Sequence, residues 1–325
     1  MQRAIQPTVK QASLKSVLAR VPGWAKLRTL KTKPLGGLTN RNYLVSTARS
    51  GKFVLRISRP NVELLGIDRK AELAALTAAA EIGIGPEVVH FLLPEGHLVT
   101  RYISGKPWPV ETYRQPANLR QVVKTVKRVH ELPAFPGAFS PFRRVESYAD
   151  LVKAAGIPFP EDFDEFLEKM RKVEARQQAD DSTWLKPCHN DLYSMNMLAD
   201  GEIRLLDWEF AGMGDLYFDL AELVYSYDNI GPLDFELEEF LLECYFRTVK
   251  KSHRTRLRDM EFMVNLFSAM WGLVNHAQVI QGSLPKAKGF DYLEFAQSIF
   301  NGPLQILLPD DSTQRRLFDG MEVLG

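Results

Sequence analysis

The chain changes hydrophobic rhythm once, at Ser104-Gly105-Lys106-Pro107, and that change confines it to an α+β architecture. Over residues 27–103 apolar side chains alternate in short runs separated by turn residues. Lys52-Phe53-Val54-Leu55-Arg56-Ile57-Ser58 puts Phe53, Leu55 and Ile57 on one face of a strand and Val54 and Arg56 on the other. Residues 42–46 read as its partner strand, joined by a hairpin turn at Ala48-Arg49-Ser50-Gly51. Asp68 is the expected N-cap of one helix that runs to Ile82 and stops at Gly83, and residues 98–103 read as a further strand. Beyond the break, residues 119–132, 163–178, 235–249 and 262–280 carry helical spacing, interrupted by a strand-rich island at 184–210. The expected organisation is a small N-terminal lobe, residues 1–103, with a sheet and one main helix. A larger, mostly helical C-terminal lobe, residues 104–325, follows it, with the break as hinge.

Composition narrows the partners. Of 325 residues, 41 are Lys or Arg and 40 are Asp or Glu, a formal net charge of +1. A chain so balanced does not grip nucleic acid by bulk charge. Two cysteines, Cys188 and Cys244, are too few for a disulfide framework or a multi-cysteine zinc site, and point to a reduced compartment. No apolar run approaches the ~18 residues of a membrane span, and Met1-Gln2-Arg3-Ala4-Ile5 lacks the apolar stretch of a signal peptide. The expectation is a cytoplasmic protein with neither nucleic-acid nor membrane partners.

Chemistry concentrates in the island, which holds His189-Asn190-Asp191, then Asn196, then Asp207-Trp208-Glu209. Asp200-Gly201 signals a two-residue hairpin loop. Such a loop pairs Ala199 with Glu202, sets Asn196 opposite Leu205 and leaves Asp207 two residues further on, at the same open end. A carboxylate and an amide oxygen together make a hard-oxygen site suited to Mg²⁺ and substrate phosphates. Asp191, just ahead, is placed to hold an attacking hydroxyl in line with a transferred phosphoryl group. Polar residues beside turns are equally ordinary turn chemistry, so this motif alone leaves both readings open.

Two N-terminal features join it. Leu35-Gly36-Gly37-Leu38-Thr39-Asn40 lies between predicted strands, where glycines let backbone N–H groups approach an anion, although a plain turn has the same composition. Glu72 falls beside the apolar side of the helix, where a carboxylate needs a partner. Arg56 is the obvious one, and the pair would present a fixed cation to nucleotide phosphates. Glycine loop, strand cation, helix acid, hinge, Asp/Asn loop and acidic hairpin in that order are poorly explained by coincidence.

At this point the sequence resembles the protein-kinase-like small-molecule kinases of the aminoglycoside phosphotransferase superfamily, and within it the choline/ethanolamine kinases. The carrying residues are His189-Asn190-Asp191-Leu192-Tyr193-Ser194-Met195-Asn196, Asp207-Trp208-Glu209-Phe210-Ala211-Gly212 and Phe218-Asp219-Leu220-Ala221. Gly36-Gly37-Leu38-Thr39-Asn40 and Val54-Leu55-Arg56-Ile57 match in the N-terminal part. Met270-Trp271-Gly272-Leu273-Val274 and Tyr292-Leu293-Glu294-Phe295-Ala296-Gln297 are similar to the choline-kinase tail. The resemblance implies a bilobed protein-kinase-like fold, ATP and Mg²⁺ as cofactors, and a small alcohol, choline or ethanolamine, as acceptor. It gives Asp191 the substrate hydroxyl, and Asn196 and Asp207 the metal. Gly36, Gly37, Thr39, Asn40 and Arg56, steadied by Glu72, take the nucleotide phosphates. The segment with Thr100 and Tyr102 becomes the adenine-contacting strand. Asp219 reads as an N-cap or as a brace for the catalytic loop, and His189 as a hydrogen-bonding partner of the loop backbone.

A quaternary ammonium has no N–H to donate and is held by aromatic faces and a nearby acid. The resemblance nominates Phe210, Trp271, Tyr292 and Phe295 as those faces, with Glu209 and Asp191 as the acids. Trp271 also stands at helical spacing with Phe267 and Val274, the pattern of a core position. Val274 departs from the family, which places a second Trp there; thiamine, an aminoglycoside or another cationic metabolite stays open as acceptor. A pseudokinase adaptor is the rival of another class, and the presence of Asp191, Asn196, Asp207, Arg56 and Glu72 speaks against it. Residues 234–243 and 247–258, acidic then basic, read as solvated helix faces.

Overall fold

A computed structural model describes residues 11–24, 30–48, 51–179, 184–225 and 231–309. Arg49 and Ser50 of the expected hairpin turn lie outside the described residues, as do both chain ends. In chain order the elements begin with α1 (Leu14–Arg20), β1 (Leu30–Gly36), β2 (Arg41–Thr47), β3 (Gly51–Ile57) and α2 (Arg69–Glu81). Then come β4 (Val88–Leu92), β5 (His97–Arg101), β6 (Lys106–Pro107), α3 (Val110–Tyr113), α4 (Pro116–His130), α5 (Pro141–Ala154) and α6 (Phe163–Gln178). β7 (Leu185–Cys188), β8 (Met197–Ala199), β9 (Ile203–Leu205) and β10 (Gly212–Asp215) carry the island, followed by α7 (Leu216–Val224) and α8 (Phe235–Tyr245). The chain closes with α9 (Lys251–Ile280), α10 (Tyr292–Phe300) and α11 (Pro303–Leu307). The fold is α+β, as expected.

The chain divides into two compact units. One comprises residues 5–139 and 185–249; the other comprises 1–4, 140–184 and 250–325. The boundary expected at 103/104 falls inside the first unit. Within that unit, five antiparallel strands run in the order β1-β2-β3-β5-β4. The alternation of β3 becomes a buried face, where Phe53, Leu55 and Ile57 join Val45 and Val99. Val17 of α1 and Val21 just after it pack on the same cluster with Trp24, burying area worth roughly 1.5–3 kcal/mol per large side chain. Asp68 caps α2 by accepting from Lys70 and Ala71 N–H, and Gly83 ends it at φ 72°.

The expected hinge is a strand. Lys106 pairs with Ala199 and Pro107 with Leu198, so β6 is the third strand of a small β6-β8-β9 sheet. A Cβ on Gly105 would lie 2.9 Å from the Ala199 carbonyl oxygen, which is why glycine stands there. The β8–β9 hairpin also differs from expectation by one residue. Ala199 pairs with Ile203 rather than Glu202, giving a three-residue loop with Gly201 at φ 101°. Asn196 accordingly faces Leu206, whose N–H donates to its carbonyl at 2.8 Å.

In the other unit α9 starts at Lys251, eleven residues before the periodic apolar run, because polar residues supply its first turns. The basic stretch is not wholly solvated: His253, Leu257 and Asp259 are buried, and Asp259 takes Arg176 of α6. α8 ends at Tyr245 rather than residue 249, since Phe246 is extended. α10 lies against α9, where a Cβ on Gly272 would approach the Tyr292 carbonyl to 2.9 Å. Among the described residues no helix is long and apolar enough to cross a membrane.

Candidate active site

β3, α2 and the loop after β9 bring five charged residues into one network, four of them buried. Arg56 on β3 pairs with Glu72 Oε1 through Nη2, and its Nη1 donates to Asp207 Oδ1 at 3.1 Å. Arg69, the first residue of α2, donates through Nη1 to Glu72 Oε2 at 2.6 Å and to Glu209 Oε2 at 3.1 Å. Arg56 Nη1 lies 3.9 Å from that same Glu209 oxygen. The Glu72 side chain is 0 % exposed and those of Arg56 and Arg69 6 %, so each charge depends on the others for neutralisation. Arg56 is held protonated above the ordinary range: burial works against its charge, but Glu72, Asp207 and Glu209 together outweigh it.

Asn40, last residue of the glycine segment, donates to Glu209 Oε2 at 3.1 Å and accepts from Arg59 N–H. Gly36 and Gly37 have φ 89° and 133°, and a Cβ at Gly37 would lie 2.2 Å from the Asn40 carbonyl oxygen. This stretch therefore requires glycine and is latched at its end to Glu209. Glu209 itself, expected beside the acceptor, is instead enclosed by Arg69, Asn40 and Arg56 at 5 % exposure. Burial raises its pKa, yet the two arginines and Asn40 hold it below the ordinary carboxylate value. All of these contacts fall on Oε2.

The catalytic-loop candidates form a second group. Asn196 Nδ2 donates to the Asp191 carbonyl at 3.0 Å and to its Oδ2 at 2.9 Å. Burial, then Asp207 and Glu209, push the Asp191 carboxyl well above its usual range. Asp219 on α7 accepts from His189 N–H at 2.9 Å and Asn190 N–H at 2.7 Å and pairs with His130 Nε2 at 3.0 Å. It is thus the brace; the N-cap of α7 is Asp215, which accepts from Tyr217 N–H. His189 binds the Leu206 carbonyl through Nε2 and packs edge-on against Trp208, and burial lowers its pKa to about 4, so the ring stays neutral. Asn190 and Asp207 both adopt left-handed backbone, φ 60° and 59°. Such conformations cost on the order of 1–3 kcal/mol and persist where surroundings enforce them.

This donor set fits a hard cation. Asn196 spends its amide nitrogen on Asp191, which leaves its oxygen to coordinate, and Asp207 Oδ1 takes Arg56 while Oδ2 has no side-chain partner among the described residues. Burial followed by Glu209 raises the Asp207 carboxyl to about 7, the electrostatic condition of a site short of positive charge.

Thr100 is buried on β5 opposite Val54, and Tyr102 donates its N–H to the Lys52 carbonyl. Phe210 is half-buried and its carbonyl accepts from Asn190 Nδ2. In the other unit Trp271, Tyr292 and Phe295 cluster, with ring centroids 5.5 Å and 6.0 Å from Trp271. Phe290 joins them at 5.2 Å from Tyr292. Val274 is buried. Sequence reasoning missed Arg69 and His130. The available signal was the i,i+3 spacing of Arg69 with Glu72.

Asp191 bonded to Asn196, Asp207 bonded to Arg56, and the buried Arg56–Glu72 pair are the side-chain types that phosphoryl-transferring enzymes use. The chain belongs to the phosphotransferase enzyme family, which it matches over residues 31–246. It is 30 % identical to Protein LicA of Haemophilus influenzae over 73 % of this chain and 71 % of that one. It is 24 % identical to ethanolamine kinase 2 of Rattus norvegicus, over 91 % of this chain and 81 % of that one. Among solved structures, a choline/ethanolamine kinase family protein from Mesorhizobium loti superposes with a TM-score of 0.74 at 26 % identity, covering 93 % of this chain and 96 % of the other.

Proposed function

We propose that this protein is an ATP- and Mg²⁺-dependent kinase of a small alcohol, with choline or ethanolamine as acceptor, acting in the cytoplasm. The observation that carries the reading is Arg56, which bridges the helix acid Glu72 and the loop acid Asp207 and so joins a phosphate-binding cation to a metal-binding carboxylate. The acceptor follows from the kinship with an ethanolamine kinase and a choline/ethanolamine kinase family protein. Residues 1–103 would take the nucleotide. Backbone N–H groups of Gly36, Gly37, Thr39 and Asn40 face its phosphates, Arg56 neutralises them, and backbone around Thr100 and Tyr102 reads the base. Asn196 and Asp207 would hold Mg²⁺, which when bound neutralises charge on the transferring phosphates.

Asp191 orients the acceptor hydroxyl and receives its proton as the acceptor oxygen bonds to the γ-phosphorus and the bond to the departing ADP oxygen breaks. Its raised proton affinity suits it to that receipt. Trp271, Tyr292 and Phe295 supply aromatic faces of the kind that hold a quaternary ammonium. The test is ADP release measured against choline, ethanolamine, thiamine and an aminoglycoside, with Asp191→Ala alongside. Turnover on choline or ethanolamine that Asp191→Ala abolishes, with ATP binding kept, supports the reading. Preference for thiamine or the aminoglycoside reassigns the acceptor, and a protein inert on all four is an adaptor.

A further inference from the structure

The backbone on both sides of Asp191 is held by carboxylates from one face of α7. Asp219 accepts the N–H groups of His189 and Asn190, the two residues before Asp191. Glu222, one turn further along α7, accepts the N–H of Leu192, the residue after it, at 2.8 Å. Asp219 has its other contact on His130 Nε2 at 3.0 Å, and the Leu192 N–H goes to Glu222 alone among the described residues. The loop needs such hold: Asn190 is in left-handed backbone, and its relaxation would swing the next peptide and the Asp191 side chain with it. Glu222 sits there against its electrostatic preference, since burial, then Asp219 and Asp191, push its carboxyl well above the usual range.

We propose that Glu222 is a positioning residue for phosphoryl transfer: by accepting the Leu192 N–H it sets the 191–192 peptide and thereby the direction of the Asp191 carboxylate. The inference rests on the role of Asp191 proposed above. Three substitutions separate hydrogen-bond acceptance from charge. Glu222→Gln keeps an oxygen at the same reach, Glu222→Asp is one methylene short, and Glu222→Ala removes the acceptor.

The experiment is steady-state kinetics with acceptor and ATP varied separately, together with amide hydrogen exchange of the 188–193 segment in each variant. The expected result is kcat within about threefold of wild type for Glu222→Gln and a fall of roughly tenfold or more for Glu222→Asp and Glu222→Ala, at unchanged KM for ATP. Exchange at Leu192 should accelerate in the Asp and Ala variants and not in the Gln variant. Should Glu222→Ala fail to fold, the Gln and Asp pair decides. Wild-type kcat in the Asp and Ala variants overturns the proposal. So does a Gln variant as impaired as Ala with the loss in acceptor KM, which would make Glu222 a charge contact to substrate. Exchange needs no acceptor and reads the clamp by itself: unchanged Leu192 exchange in a folded Asp or Ala variant refutes the clamp, whereas a wild-type protein inert on every acceptor refutes only the kinase reading.

Discussion

Replacing Arg69 by Met tests whether the five-membered charge network holds the site together. Arg69 is 6 % exposed and touches Glu72 Oε2 at 2.6 Å and Glu209 Oε2 at 3.1 Å. Removing one partner of a buried ion pair costs about 3–5 kcal/mol when the other charge is orphaned. Neither acid is fully orphaned here, because Glu72 keeps Arg56 and Glu209 keeps Asn40 with Arg56 at 3.9 Å. The expected loss is therefore about 2–3 kcal/mol, or roughly 3–5 °C in Tm for a chain of this length. The pH dependence has a definite sign. Glu209 has a depressed folded pKa, so its contribution is present above the unfolded value of 4.5 and is lost as pH falls through the folded value. Arg69→Met removes much of that depression, so the gap between wild type and variant should be widest at neutral pH and narrow below about pH 4. Denaturant unfolding of wild type, Arg69→Met, Glu209→Gln and the double variant measures the coupling between the two positions, expected at 1 kcal/mol or more. A coupling near zero, or a variant within about 0.5 kcal/mol of wild type at pH 7, would refute the account.

Further outcomes follow from other contacts. Asp191→Asn should lower kcat by roughly 10²–10⁴-fold with nucleotide affinity retained, read by steady-state kinetics and calorimetry. Asp207 has a raised folded pKa of about 7, so in metal-free protein its ionisation destabilises the fold as pH rises through that value. Tm without Mg²⁺ should therefore fall between pH 5.5 and 8, Mg²⁺ should recover it at pH 8, and Asp207→Asn should flatten the trend. Gly37→Ala would drive a Cβ to 2.2 Å from the Asn40 carbonyl at φ 133° and should weaken nucleotide binding in a fluorescence titration, without altering the aromatic group in the other unit. Gly272→Ala would crowd the Tyr292 carbonyl at 2.9 Å and should cost about 1–3 kcal/mol by denaturant unfolding.

Local order was legible wherever short-range physics decides it. The alternation in residues 52–58 determined β3, Asp68 and Gly83 bracketed α2 within a residue at each end, and residues 163–178 coincide with α6. α5 and α10 went unread although Phe142, Val145, Tyr148 and Leu151, and Tyr292, Ala296 and Ile299, stand at helical spacing, and β4 went unread because all its residues are half-buried and show no alternation. The β8–β9 register was off by one, since a glycine at positive φ serves a three-residue loop as well as a two-residue one.

By itself the sequence determined the residue types that phosphoryl transfer requires and their order along the chain: glycine loop, Arg56, Glu72, Asp191, Asn196, Asp207. Tertiary structure decided which charges meet. Arg69 and Glu209 are 140 positions apart, and only folding brings them within 3.1 Å. That contact makes Glu209 part of a buried ion network, and the N–H groups of His189 and Asn190 make Asp219 a brace of the loop. The reason is physical: a strand's alternation or a helix's cap depends on neighbours within a few residues. The fate of a charged side chain depends on whatever the fold excludes water from around it, and that is set by residues far away in sequence.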